Sequence, residues 1–143
     1  ALPGSGGWQT LVITPGAHPL EELAVRASLM NGFTPDKVLR GLESDQRALD
    51  LVVRHLLADR PAEVHLLLVV DQFEEVFALC RNEVERRRFV EALVYAVEAE
   101  GGRTVVMPTI RADFYGRCAD YPRLAARMRS SLLCKRGFRP AAP

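Results

Sequence analysis

Leu66-Leu67-Leu68-Val69-Val70-Asp71 is a run of five apolar residues closed by an acid. A strand with one wet face alternates apolar and polar residues. This one does not, so it reads as a central strand of a parallel sheet, buried on both faces. The carboxylate of Asp71 then emerges where the strand ends. In open parallel sheets, chemistry gathers beyond the carboxyl ends of the strands.

Working outward, residues 8–14 read as a second strand, stopped by Pro15-Gly16. Residues 103–110 read as a third, with Pro108 marking a bend or an end. Helical patterns fill the intervals. Pro19 suits a first helical turn, with Leu20, Leu23, Ala24 and Ala27 on one face. Thr34-Pro35 reads as a cap followed by a first-turn proline. Leu49, Val52, Val53, Leu56 and Leu57 recur three and four apart, up to Arg60-Pro61. Asn82 and Glu85 have capping-box spacing. They open a helix with Phe89, Val90, Leu93, Val94 and Val97 inside and Gly101-Gly102 at its end. Residues 113–118 and 121–128 read as short helices. The class is α/β: a parallel sheet of about three strands, near 8–14, 64–71 and 103–110, with right-handed crossovers and helices on both faces.

A chain of 143 residues is enough for one domain with a core and too short for two. Its 48% hydrophobic and 26% charged residues are those of an ordinary soluble domain. The longest apolar run is far shorter than a bilayer span, and no signal peptide opens the chain. No membrane partner and a cytoplasmic location are therefore expected. Cys80, Cys118 and Cys134 stand at unrelated spacings, which fits reduced thiols rather than a zinc or redox pair. His18, His55 and His65 lie in no ligand pattern and read as structural.

Charge is uneven. Residues 1–120 carry 13 basic and 18 acidic side chains, whereas residues 121–143 carry six basic ones and no acid. A basic end can touch nucleic acid, but this one lacks interleaved aromatics. Residues 126–143 are therefore expected to be a disordered basic tail, and nucleic acid is not an expected partner. The first residue is Ala1 rather than Met, which suits a piece of a longer protein.

Four groups fall at one edge of the expected sheet. Asp71 can hold Mg²⁺ through its water shell, as ATP-using proteins require. Glu74 and Glu75 follow within a turn and can polarise an attacking water or accept its proton. Arg111 comes directly after the third strand, where a guanidinium can meet a γ-phosphate. Each has a plainer reading. Asp71 can cap the next helix, the glutamates can favour its N-terminus, and Arg111 can pair with Asp113 or Asp71. Together, at one edge of one sheet, they favour a nucleotide site.

The stretch from Leu66-Leu67-Leu68-Val69-Val70-Asp71 through Gln72-Phe73-Glu74-Glu75-Val76-Phe77 resembles the extended Walker B of the novel STAND class of bacterial signalling NTPases, often linked to WD repeats. Ile110-Arg111-Ala112-Asp113-Phe114-Tyr115-Gly116-Arg117-Cys118 resembles the same family's sensor region, and Thr14-Pro15-Gly16-Ala17-His18-Pro19-Leu20 its turn after strand two. The resemblance covers residues 8–125. It implies a P-loop three-layer sandwich with ATP and Mg²⁺ as cofactors. Asp71 would be the metal-associated acid, Glu74 or Glu75 the water-activating residue, and Arg111 the sensor at the γ-phosphate. The family's ATP cycle switches multidomain proteins, frequently by self-association, so other domains such as WD repeats are implied partners.

Two departures narrow this. No Gly-x-x-x-x-Gly-Lys-Ser/Thr loop occurs in the sequence, and Gly4-Ser5-Gly6-Gly7 lacks the lysine and hydroxyl and precedes a strand. Residues 1–7 therefore read as a linker, with the family's first strand and phosphate loop expected upstream of Ala1. After Leu124 the resemblance stops and no fifth strand follows, so a partial domain is expected at 1–125. Losing strand one exposes an edge of residues 103–110 together with apolar helix surface, and the chain alone is expected to bind ATP weakly or not at all. Two other classes stay open. One is a non-catalytic α/β interaction module. The other is a metal-dependent nuclease using Asp71, Glu74 or Glu75, and Asp113, which would lack a nearby lysine.

Overall fold

Leu66, Leu68 and Val70 are almost wholly removed from solvent in the middle strand of a three-stranded sheet. The computed structural model describes residues 7–130. Strands β1 (Gln9–Ile13), β2 (Leu66–Val70) and β3 (Thr104–Pro108) are all parallel and lie in that order. Their ends are level: Ile13 is beside Val70, and Val70 beside Pro108. Each strand is shorter than its sequence expectation, because the flanking residues leave the ladder for loops. The expected α/β fold with a three-stranded parallel sheet is present.

The helices begin and end where local chemistry says they should. Helix α1 (Pro19–Asn31) has proline in its first turn and stops at Gly32, whose positive φ of 79° lets its N–H reach the Ser28 carbonyl. Helix α2 (Pro35–Ser44) is capped by Thr34, which accepts the Lys37 N–H at 3.2 Å. Helix α3 (Ala48–Leu56) buries Leu49 and Val53. After the one-turn helix α4 (Glu75–Ala78), Asn82 caps helix α5 (Glu83–Glu98) by accepting the Glu85 N–H at 3.1 Å. Glu85 turns its carboxylate to another helix, accepting the Leu20 N–H of α1 at 3.3 Å. Only the Asn82 half of the expected capping box is made, and the Glu85 carboxylate fastens α5 to α1 instead. The segment expected as a short helix at 113–118 is a 3-10 helix, Ala112–Asp120, followed by α6 (Pro122–Ser130).

The layering differs from the expectation of helices on both faces. Helices α1, α2, α3 and α5 each pack against the other three, so all lie on one side. Strand order explains why. Both crossovers, β1 to β2 and β2 to β3, step the same way across the sheet. Two right-handed crossovers in one direction put their helices on the same face. That face carries Leu11, Ile13, Leu66, Leu68 and Val70 into the core. The opposite face carries Val12, which is 50% exposed, and Leu67, Val69, Val105 and Met107, which stay half-buried outside the core cluster. The absence of alternation in 66–70 was expected to mean burial on both faces. Among the described residues only one face is covered.

Strand β3 pairs only with β2 among the described residues. Beside it lies an apolar groove between Val106, Pro108, Val97, Leu124 and Met128. Met128 is 2% exposed, so α6 carries the core past residue 125, where the domain was expected to end. The rest of the expected tail, 131–143, and linker residues 1–6 lie outside the described residues.

Candidate functional site

The level strand ends bring three loops to one edge, and the loop after β2 binds both of the others. The Asp71 N–H donates to the Ile13 carbonyl at 2.8 Å, and the Thr109 N–H donates to Val70 at 3.0 Å. Asp71 is partly buried there, and its Oδ1 accepts the Thr109 hydroxyl at 2.8 Å. Gln72 next adopts a positive φ of 57°, uncommon for a residue other than glycine. That turn aims the chain back across the sheet end. The Gln72 N–H then donates to Thr109 Oγ1 at 3.0 Å and the Phe73 N–H to the Thr109 carbonyl at 2.7 Å. Phe73, 1% exposed, anchors the turn in the core.

The two glutamates are occupied with backbone. Glu74 Oε1 accepts the Arg111 N–H at 3.2 Å, which ties the β2 loop to the β3 loop. Glu75 Oε1 accepts the Gly16 N–H at 3.0 Å, which ties it to the β1 loop. Gly16 has φ of 63°, a conformation that costs other residue types free energy. Arg111 contributes its backbone to this web, while its side chain turns outward. The guanidinium is 67% exposed, pairs with Asp113 at 2.9 Å and lies 5.7 Å from the Phe114 ring centre. Asp71, Glu74, Glu75 and Arg111 thus share one edge, as their positions in sequence implied. Their charged ends are each engaged with a different partner rather than with one another.

The family model for Novel STAND NTPase 1 matches residues 1–137. The chain belongs to this STAND NTPase family. The matched span exceeds at both ends the 8–125 over which the sequence resemblance was read. No curated protein and no solved structure gives a significant match.

In this STAND NTPase domain, no group of three or more His, Cys, Asp or Glu side chains suited to a metal occurs among the described residues. An ion wholly caged by protein is therefore not built there. Mg²⁺ asks for less. It keeps several waters and takes one or two carboxylates plus substrate phosphate oxygens. Asp71, a hard oxygen donor at the sheet edge with one oxygen fixed by Thr109, fits that smaller demand.

The residue that sequence reasoning passed over is Thr109. A threonine after proline at a strand end reads as a terminator. Its signal lay in register: once Val70 and Pro108 are level, Asp71 and Thr109 are neighbours. No helix in the described residues is long and apolar enough to cross a membrane.

Proposed function

We propose that this carboxyl edge is the metal and γ-phosphate side of an ATP site in a STAND-type regulatory NTPase. The observation that carries the reading is the Asp71 carboxylate. It stands at the end of the sheet's central strand, partly buried, and is held by the Thr109 hydroxyl at 2.8 Å. Asp71 would hold Mg²⁺, which when bound supplies charge neutralisation at the phosphates. Arg111 would meet the γ-phosphate by exchanging Asp113 for the nucleotide. Glu74 or Glu75 would orient the attacking water once its backbone amide is released. This domain would act within a multidomain signalling protein whose state follows the nucleotide, with WD repeats or a second copy of the protein as partners.

The phosphate side needs a row of backbone amides and a lysine, and no loop of that sequence occurs in the 143 residues. The chain alone would therefore be inactive. Isothermal titration with Mg-ATP tests this. We expect micromolar affinity for the protein as expressed from its own gene and none for the 143-residue chain. Micromolar binding by the 143-residue chain would overturn the incompleteness of the site.

A second reading, an α/β interaction module without nucleotide chemistry, has one observation in its favour. Both glutamates and Arg111 already have partners within the fold, at 3.0 to 3.2 Å for the glutamates and 2.9 Å for Arg111. Absence of any nucleotide binding by the protein as expressed would select it.

A further inference from the structure

We infer that Thr109 is a positioning residue of the metal site, acting through Asp71; this rests on the nucleotide reading of the sheet edge. Every polar atom of Thr109 is spent on four consecutive residues at the end of β2. Its N–H donates to Val70 at 3.0 Å and its carbonyl accepts from Phe73 at 2.7 Å. Its hydroxyl oxygen accepts from the Gln72 N–H at 3.0 Å and donates to Asp71 Oδ1 at 2.8 Å.

The direction of that last bond is forced. A hydroxyl has one proton. The Gln72 N–H is itself a donor, so it takes an oxygen lone pair and leaves the proton for the carboxylate. Thr109 therefore fixes one Asp71 oxygen and leaves the other for a cation. The same hydroxyl secures Gln72, whose positive φ turns the chain away immediately after the acid. A carboxylate free to rotate would spend its metal-bound life in one rotamer among several, and a second partner removes that freedom.

The chemistry requires a short hydroxyl at 109. Serine offers the same donor and acceptor. Valine keeps the shape and β-branching and loses both. Groups that orient a metal ligand typically cost tenfold to a hundredfold in metal affinity when removed. We expect Thr109→Val to weaken Mn²⁺-ATP binding by about tenfold, while Thr109→Ser stays within about threefold of the parent.

The experiment measures Mn²⁺-ATP affinity by titration, with Mn²⁺ bound fraction followed by electron paramagnetic resonance. It uses the protein as expressed from its own gene, with a thermal melt on each variant. Four proteins suffice beside the parent: Thr109→Val, Thr109→Ser, Asp71→Asn, and the Asp71→Asn/Thr109→Val double variant. A positioning role requires that Thr109→Val lose its effect in the Asp71→Asn background, because there is no carboxylate left to orient. A merely structural role would weaken binding equally in both backgrounds and lower the melting temperature of both. If Asp71→Asn weakens binding and Thr109→Val does not, the inference fails and the nucleotide reading stands. If the parent binds no Mn²⁺-ATP, or Asp71→Asn binds as the parent does, the nucleotide reading itself fails and this inference with it.

Discussion

The carboxylate of Glu75 accepts the backbone N–H of Gly16 at 3.0 Å, joining the loop after β2 to the loop after β1. Fifty-nine positions separate the two residues. A hydrogen bond to a charged acceptor contributes about 1.5–3 kcal/mol when shielded. Glu75 is half-buried, so about 1 kcal/mol is the expected cost of Glu75→Ala, a fall of about 4 °C in Tm for a domain of this size. Glu75→Gln retains an acceptor and should recover most of it. Amide exchange at Gly16 reads the contact directly: it should quicken in Glu75→Ala. Unchanged exchange would show that the strap contributes nothing.

Arg103 fastens the other end of the sheet. Its guanidinium donates to the carbonyls of Val64 at 3.0 Å, Leu57 at 2.8 Å and Pro61 at 2.5 Å. These carbonyls belong to the turn between α3 and β2, where Leu57 also accepts the Arg60 N–H at 2.9 Å and Pro61 the Val64 N–H at 3.0 Å. Arg103→Ala should cost about 1–2 kcal/mol in urea unfolding, since it removes charge-assisted bonds to three carbonyls, two of which keep a turn N–H as partner. Arg103→Lys should recover less than half, because an ammonium lacks the planar fork.

The two faces of β2 should answer mutation differently. Leu68 is fully buried on the helix-covered face, so Leu68→Ala should cost about 3 kcal/mol. Leu67 points to the other face and is half-buried; Leu67→Thr should cost under about 1 kcal/mol. An open apolar sheet face also invites self-association, and Leu67→Thr should reduce it in light scattering. Equal destabilisation by the two changes would mean that both faces are covered.

Cys80 gives a pH dependence with a definite sign. It is 2% exposed, and burial pushes its thiol above the usual range. The folded state therefore holds the proton more tightly than the unfolded chain. The stability this confers is fully present below the unfolded thiol's ionisation, near pH 8.5, and is lost as pH rises through the folded value. Melting followed from pH 7 to 10 should fall more steeply for the parent than for Cys80→Ala. Iodoacetamide should label Cys80 slowly until the protein is unfolded.

Much of the fold was legible because it rests on local signals. Thr34-Pro35, Asn82 and the three apolar strands each act within a few residues of themselves. The covered face was not legible, because it depends on strand order, and order is set by which strands meet. The absence of alternation in 66–70 misled for a related reason: the sheet face opposite the helices tolerates Leu67 and Val69 at partial exposure. At the candidate site, the positions of Asp71, Glu74, Glu75 and Arg111 along one edge followed from strand ends alone. Their partners did not. Gly16 and Arg111 offer backbone amides to the glutamates, and a backbone amide has no signature in sequence. Thr109 became visible only through the β2–β3 register.

The measurement that bears most directly on the proposed ATP site is the Mg-ATP affinity of the protein as expressed from its own gene, with and without Asp71→Asn, by isothermal titration. A carboxylate that holds the metal between protein and phosphates should make at least a tenfold difference, with both proteins melting alike. Equal affinity for the two would contradict the placement of the metal at Asp71.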